Sequence, residues 1–398
     1  MSSSTLHRRP SLLGGVLLVT GTCIGGGMLG LPVETGQAGF LPSLLLYLAA
    51  WSLMALTGLL ILEVLAFLNR EVNLVSMASS TLGPVGVVVS WILYLFLFYS
   101  LVVAYSKATV DIFLLALPKP YAVSFFLLTL ITTIYLGTRF VTRLNGLLVG
   151  GLFIGFVALI LITIPHVQTS RLSVAHWPST LLTLPLVITA FGFQGVVPVV
   201  YRYFKGEATR ARAAIIYGSL LSLAVYLIWQ VIVLGSVPLE GPGGLREARQ
   251  LDKLATWALQ IRLQDIRISA IGLSISFFAI TSSLLGVGVG LIDFLLDGLK
   301  LKRSLSNRLV VTTLTFTPAT LIALQGGTVF YLALTYGGGI GCTLLLAALP
   351  IVMVWRIRAK RLPYQYRVAG SYWTLGLGGF LVLVVLGAII VRWFGSSI

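Results

Sequence analysis

The sequence predicts an all-α polytopic membrane protein of about eleven transmembrane helices, arranged as a five-plus-five inverted repeat with one extra helix. Three observations carry this. Hydrophobic residues make up 58% of the chain and charged residues only 10%, against about 25% charge in a soluble domain. Apolar runs long enough to cross a hydrocarbon core of about 30 Å recur from one end to the other, and mean hydropathy is +1.01. The first and sixth of those runs are broken by glycine at matching places in the two halves.

In order, the first span is expected from about Ser11 to Gln37 and the second from Pro42 to Leu68. The third, Pro84 to Leu117, is long enough to tilt. The fourth covers Tyr121 to Gly137 and the fifth Leu144 to Ile164, closing a first repeat over 11–164. A second repeat, 181–355, opens with the sixth span, Leu181 to Phe204, followed by the seventh, Ala213 to Val237. The polar stretch Pro238 to Arg267 comes next, within which Leu245 to Ile261 reads as an amphipathic surface helix. The eighth span is Ile268 to Leu296, the ninth Leu309 to Leu324 and the tenth Val329 to Trp355, which Gly337-Gly338-Gly339 can split. The eleventh span, Trp373 to Trp393, falls outside both repeats as the extra helix over 373–393.

The formal charge of +16 does not indicate a nucleic-acid partner, because Lys and Arg fall in short loops between apolar runs. They favour one set of loops by about two to one, which puts the N-terminus in the cytoplasm and, after an odd number of spans, the C-terminus outside. Cys23 and Cys342 lie far apart in apolar segments, so neither a disulfide framework nor a metal site is expected. The apolar run after Pro10 lacks a small-residue cleavage site and reads as a retained first helix. An enzyme is disfavoured: there is no HExxH, GxSxG or glycine-loop GK[ST], and His7, His166 and His176 lie in terminal or loop segments. No cofactor and no obligate protein partner are implied. A channel would show rings of charge or carbonyls around a continuous pore. Paired broken helices instead point to the ligand site of a secondary transporter.

Each glycine in Gly25-Gly26-Gly27 costs about 1 kcal/mol against Ala inside a helix. Non-helical backbone survives at membrane depth only where protein or a polar cavity receives its freed N–H and C=O groups. Phe191-Gly192-Phe193-Gln194-Gly195, between Pro185 and Pro198, is the counterpart roughly 170 residues later, in a repeat of opposite orientation. Close helix packing is the bland alternative, since Gly21/Gly25 and Gly26/Gly30 also fit the GxxxG spacing.

Gly25-Gly26-Gly27-Met28-Leu29-Gly30-Leu31-Pro32 resembles the G-(A/G)-G-M-L-(A/G)-L-P signature of bacterial aromatic amino acid permeases, the tyrosine- and tryptophan-specific carriers of the amino acid–polyamine–organocation superfamily. Leu62-Glu63-Val64 and the loop Glu71-Val72-Asn73-Leu74-Val75-Ser76-Met77-Ala78 agree with it. So does Phe191-Gly192-Phe193-Gln194-Gly195-Val196-Val197-Pro198, with Ala190 and Gln194 where the commoner pattern has Ser and His. The resemblance implies a bacterial inner-membrane carrier in which spans one, three, six and eight bind the substrate. It also implies uphill, proton-coupled import of an aromatic amino acid, tyrosine first and tryptophan second.

The residues can be matched to such a guest. A zwitterion enters a low-dielectric region only if both charges are met. The N–H groups around Thr22, Gly25, Gly26, Gly27 and Met28 face a carboxylate at a half-helix N-terminus, and carbonyls near Phe191 and Gly192 face the ammonium. For the ring, the candidates are Phe191 and Phe193 beside the second break, and Tyr99, Val103 and Tyr105 on the third span. Phe278, Thr281 and Ser282 on the eighth complete the set, with Gln194 or Thr281 as a partner for a ring hydroxyl. Glu63 and Lys107 are the candidates for ion coupling, since ionisable groups in spans are functional by default. Lys107 and Asp111 can instead form an i,i+4 pair. Hydroxyls at Thr281, Ser282 and Ser283 leave sodium as an alternative to the proton.

Overall fold

A computed structural model describes residues 10–70, 72–114, 118, 121, 137–302, 304–361 and 364–395. Those residues form helices throughout, with no strand among them. Eight helices are long and apolar enough to cross a membrane, and a ninth is made by the bent pair Leu12–Cys23 and Gly26–Thr35. A further helix, Leu305–Ala323, stands at the expected ninth span. The expected fourth span, Tyr121 to Gly137, lies almost wholly outside the described residues, as do Glu71 and Arg303.

Local chemistry sets many of the boundaries. Ser11 caps the first helix by accepting the Gly14 N–H at 3.0 Å. Asn73 caps a helix over Leu74–Leu82, accepting the Ser76 N–H at 2.8 Å, so the segment expected as a loop after the second span is largely helical. Pro84 starts the third span, Pro84–Phe113, at the position where its missing N–H costs nothing.

The pairing of helices reveals the repeat. The first span packs on the seventh, and the sixth on the second; the third packs on the tenth, and the eighth on the fifth. Exchanging each span with the one five places later turns one pair of contacts into the other. The second–seventh and third–eighth contacts map onto themselves. The eleventh helix, Ser371–Gly395, packs outside this scheme against the sixth and tenth spans.

Two expectations change. Leu245 to Ile261 is two short helices, Leu245–Gln250 and Ala255–Leu263, rather than one surface helix. The chain turns at Asp252, which has φ of +58°, and Leu245, Ala248, Ala255, Ala258 and Leu259 are buried. The turn is held by tertiary contacts: both Asp252 carboxylate oxygens accept backbone N–H groups, from Phe330 at 2.9 Å and Tyr331 at 3.2 Å. The tenth span, in turn, is not split by its glycines. It runs from Val329 to Ala359 with π-helical turns over Ala333–Gly338 and Cys342–Ala348. A Cβ at Gly339 or Gly341 would lie 2.6 Å from Pro185 or 2.7 Å from Leu97, so these glycines allow close approach to the sixth and third spans.

Candidate functional site

The two breaks meet at one side chain. The first helix ends at Cys23, Ile24 and Gly25 are extended, and the chain restarts at Gly26 with a 56° bend. The sixth span runs Leu184–Ala190, breaks over Phe191 to Phe193, and resumes through a short turn into Val197–Tyr203. The Tyr226 hydroxyl of the seventh span lies 2.6 Å from Cys23 O and 2.7 Å from Ala190 O. One phenolic hydrogen thus serves two helix-terminal carbonyls, and these oxygens keep capacity for a further donor.

Glycine at the first break serves space rather than backbone freedom. Gly25 has φ of −165°, open to any residue, but a Cβ there would collide with Ser283 Oγ. The Gly26 N–H donates to Ser283 Oγ at 2.9 Å. A Cβ on Gly26 would lie 2.7 Å from Ile280 Cδ1 and 2.8 Å from Tyr105 Cε1. The Tyr105 ring packs against Gly26, and its hydroxyl would lie 3.9 Å from a Cβ at Gly27. The half-helix N-terminus is therefore lined by N–H groups and the hydroxyl of Ser283.

A cavity of about 620 Å³ opens from this point. Thr22, Gly25, Gly27, Tyr105, Gly192, Gln194 and Ser282 are on its wall. The other residues named for the carboxylate and the ring are not. Gly26 is enclosed by Ile280 and Tyr105, and Met28 is fully buried. Val103 is buried off the wall, and Tyr99 donates its hydroxyl to Leu314 O at 2.6 Å. Phe191 packs edge-on against Tyr226, Phe193 sits against Gly58, and Phe278 against Gly151. The Thr281 hydroxyl is buried with no partner among the described residues. Sequence reasoning missed Tyr94, Phe98 and Leu101, which line the cavity with Tyr105. Their spacing, i, i+4, i+7 and i+11 on one helix, was the available signal. Ser283, named from the sequence as a hydroxyl for sodium, is also on the wall, as are Asn145, Thr189 and Cys342, which had no such pattern.

The cavity opens towards the exposed Asn73 and Arg202, at the end of the second span and of the sixth. Its other end is sealed. Gly30 fits under Phe330 and Tyr331, where a Cβ would be 3.2 Å from each ring. Glu34, only 2% exposed, accepts from Arg249 Nε at 2.6 Å and from Arg392 of the eleventh span. Arg249 lies over the Tyr331 ring at 4.4 Å, and Arg392 also donates to Leu182 O at 2.7 Å. Nearby, Lys107 Nζ is 2.6 Å from Asp111 and 4.0 Å from Asp252. Burial raises the Asp252 carboxyl above its ordinary value, while the two backbone N–H groups and the Lys107 and Arg249 cations pull the other way.

Glu63, near the C-terminal end of the second span, is held differently. It accepts from Arg358 Nε and Nη2 at 2.8 Å each, from the Tyr364 hydroxyl at 2.6 Å and from the Val368 N–H at 2.8 Å. Burial and the Glu63 carboxylate push the Tyr364 phenol up to about 12, which keeps it a donor. Four donors on one fully buried carboxylate describe a fixed ion pair joining the second span, the tenth and the loop that follows.

Comparison with known proteins agrees with this architecture. The tryptophan-specific transport protein of Pseudomonas aeruginosa (strain UCBPP-PA14) is 32% identical over 380 residues, covering 90% of this chain and 89% of that one. The tyrosine-specific transport system 1 of Haemophilus influenzae is 29% identical over 386 residues, covering 95% of each. Among solved structures, that of MhsT in complex with L-phenylalanine covers 96% of this chain and 98% of its own, with a TM-score of 0.62 at 15% identity; at that identity the likeness is one of fold. These relatives are transport proteins, not enzymes, and the tryptophan/tyrosine permease family matches residues 8–393. The chain is a multi-pass integral membrane protein and belongs to the tryptophan/tyrosine permease family.

Proposed function

We propose that this protein is a secondary active importer of the bacterial inner membrane that carries an aromatic amino acid, tyrosine first and tryptophan second, by proton symport with alternating access. The observation that carries the reading is the convergence of both breaks on one cavity, open at one end and sealed at the other. In the orientation that the loop charges favour, with the N-terminus in the cytoplasm and the C-terminus outside, the open end faces the cytoplasm.

The substrate carboxylate sits at the N–H groups of Gly25 and Gly27, beside Thr22, Ser282 and Ser283 on the cavity wall, where the partial positive charge of the half-helix end favours an anion; the Gly26 and Met28 N–H groups are taken by Ser283 Oγ and Gly25 O. The ammonium sits near Cys23 O and Ala190 O, using the capacity that Tyr226 leaves. The ring lies along Phe98, Leu101 and Tyr105; burying roughly 150–250 Å² there is worth on the order of 4–6 kcal/mol. Of the two coupling candidates, Lys107 fits better than Glu63. It is buried between two carboxylates at the sealed end, where its charge helps to hold the seal.

Uptake of labelled tyrosine into proteoliposomes under imposed proton or sodium gradients, with each of the twenty amino acids as competitor, tests this. Acceleration by an inward proton gradient and competition by tyrosine and tryptophan are expected. Acceleration by sodium alone would overturn proton coupling, and indifference to both aromatic competitors would overturn the substrate.

A further inference from the structure

The second break carries an acceptor that the protein itself leaves unused. Gln194 is 1% exposed. Its Nε2 donates to Met54 O at 3.0 Å and to Thr57 Oγ1 at 3.0 Å on the second span. The amide orientation is fixed by these contacts. Met54 O can only accept, and the Thr57 hydroxyl spends its own hydrogen on Met54 O at 3.2 Å, so it too must accept from Gln194. Nitrogen therefore faces the second span and oxygen faces away from it. That oxygen, Oε1, is buried with no hydrogen-bond partner among the described residues, in a side chain on the cavity wall. Native proteins pair nearly all such groups, so an orphan in a side chain that borders a ligand cavity points to a partner that arrives with the ligand.

The chemistry of that partner is restricted. A carboxylate oxygen has no hydrogen to give, and an amide oxygen repels it. The ammonium has helix-end carbonyls at Cys23 and Ala190. What remains is a donor on the substrate's side chain. A phenol O–H and an indole N–H both qualify, whereas phenyl and aliphatic side chains do not. Resting on the aromatic amino acid reading above, we propose that Gln194 Oε1 accepts the ring O–H or N–H of the bound substrate, and so selects aromatic amino acids that carry a ring donor over those that do not.

A site built to bond a polar group rejects the analogue lacking it far better than an apolar site rejects an extra hydroxyl. The test compares each parent with a donor-less near-isostere as competitors of labelled uptake: tyrosine with phenylalanine, and tryptophan with benzothienylalanine, in which sulfur replaces the indole N–H. For whichever parent is carried, the wild type is expected to need at least about ten times more of the analogue for half-inhibition. In Gln194→Met the ratio should fall to within about twofold, because the acceptor is gone. Gln194→His, which keeps one donor and one acceptor, should retain most of the preference. A ratio near one in the wild type, or an undiminished ratio in Gln194→Met, would overturn the proposal; the wild-type ratio decides alone if that variant fails to insert. Failure of both tyrosine and tryptophan to compete would instead overturn the aromatic substrate itself.

Discussion

Gly26→Leu is expected to abolish substrate binding while the protein remains inserted and folded. A Cβ at this position already lies 2.7 Å from Ile280 Cδ1 and 2.8 Å from Tyr105 Cε1, so a whole isobutyl group must displace both. The Gly26 N–H bonds Ser283 Oγ. One substitution therefore disturbs Tyr105 and Ser283 together at the half-helix N-terminus. Overpacking costs about 1–3 kcal/mol, which a large, otherwise well-packed core can absorb. The binding site cannot, because its N–H groups must stay aligned on the carboxylate. A rise in dissociation constant of at least about a hundredfold, roughly 2.7 kcal/mol, is expected, with Gly26→Ala intermediate. Equilibrium binding of labelled substrate to purified protein that elutes as a single species measures it. An unchanged dissociation constant would refute the carboxylate role.

The second large effect falls on the Glu63–Arg358 pair. Arg358→Met leaves a fully buried carboxylate with, among the described residues, only the Tyr364 and Val368 donors, a loss worth about 3–5 kcal/mol for a stranded buried charge. The double change Glu63→Leu with Arg358→Leu should recover most of that, since a well-packed apolar pair replaces a buried ion pair at little net cost. Thermal unfolding of the single and double variants in detergent gives the comparison. The double variant also separates two roles for Glu63. If the carboxylate only locks the tenth span and its following loop to the second, proton-driven uptake survives in the double variant. If it carries the proton, gradient-driven accumulation disappears even though the protein is stable.

Much of the fold was legible because a bilayer leaves few choices. Spans read directly as apolar runs, and the first break read as glycines where a helix should continue. The paired contacts of spans one and seven with six and two follow from the repeat that those breaks suggested. The candidate site was legible at the breaks, where Gly25, Gly27 and Gly192 are on the cavity wall. It was less legible in side chains. Phe191 and Phe193 flank the second break in sequence, yet both face away from the cavity, one covering Tyr226 and the other filling the space over Gly58. A broken helix exposes polar ends, and bulky neighbours are needed to shield them from the core as much as to hold a ligand. The seal shows the same limit. Glu34 and Arg392 meet from opposite ends of the chain, and Asp252 turns a short loop because two N–H groups of the tenth span need an acceptor. No local pattern encodes either pairing.

If two broken helices read the substrate's zwitterion through backbone groups, a ligand without the carboxylate does not compete. Competition of labelled tyrosine or tryptophan uptake by tyramine and tryptamine, which keep the ring and ammonium but lack the carboxylate, measures this. Saturable uptake is expected that the parent amino acids block and that these amines leave untouched at about a hundredfold higher concentration. Amines that compete as well as the parent amino acids would contradict it.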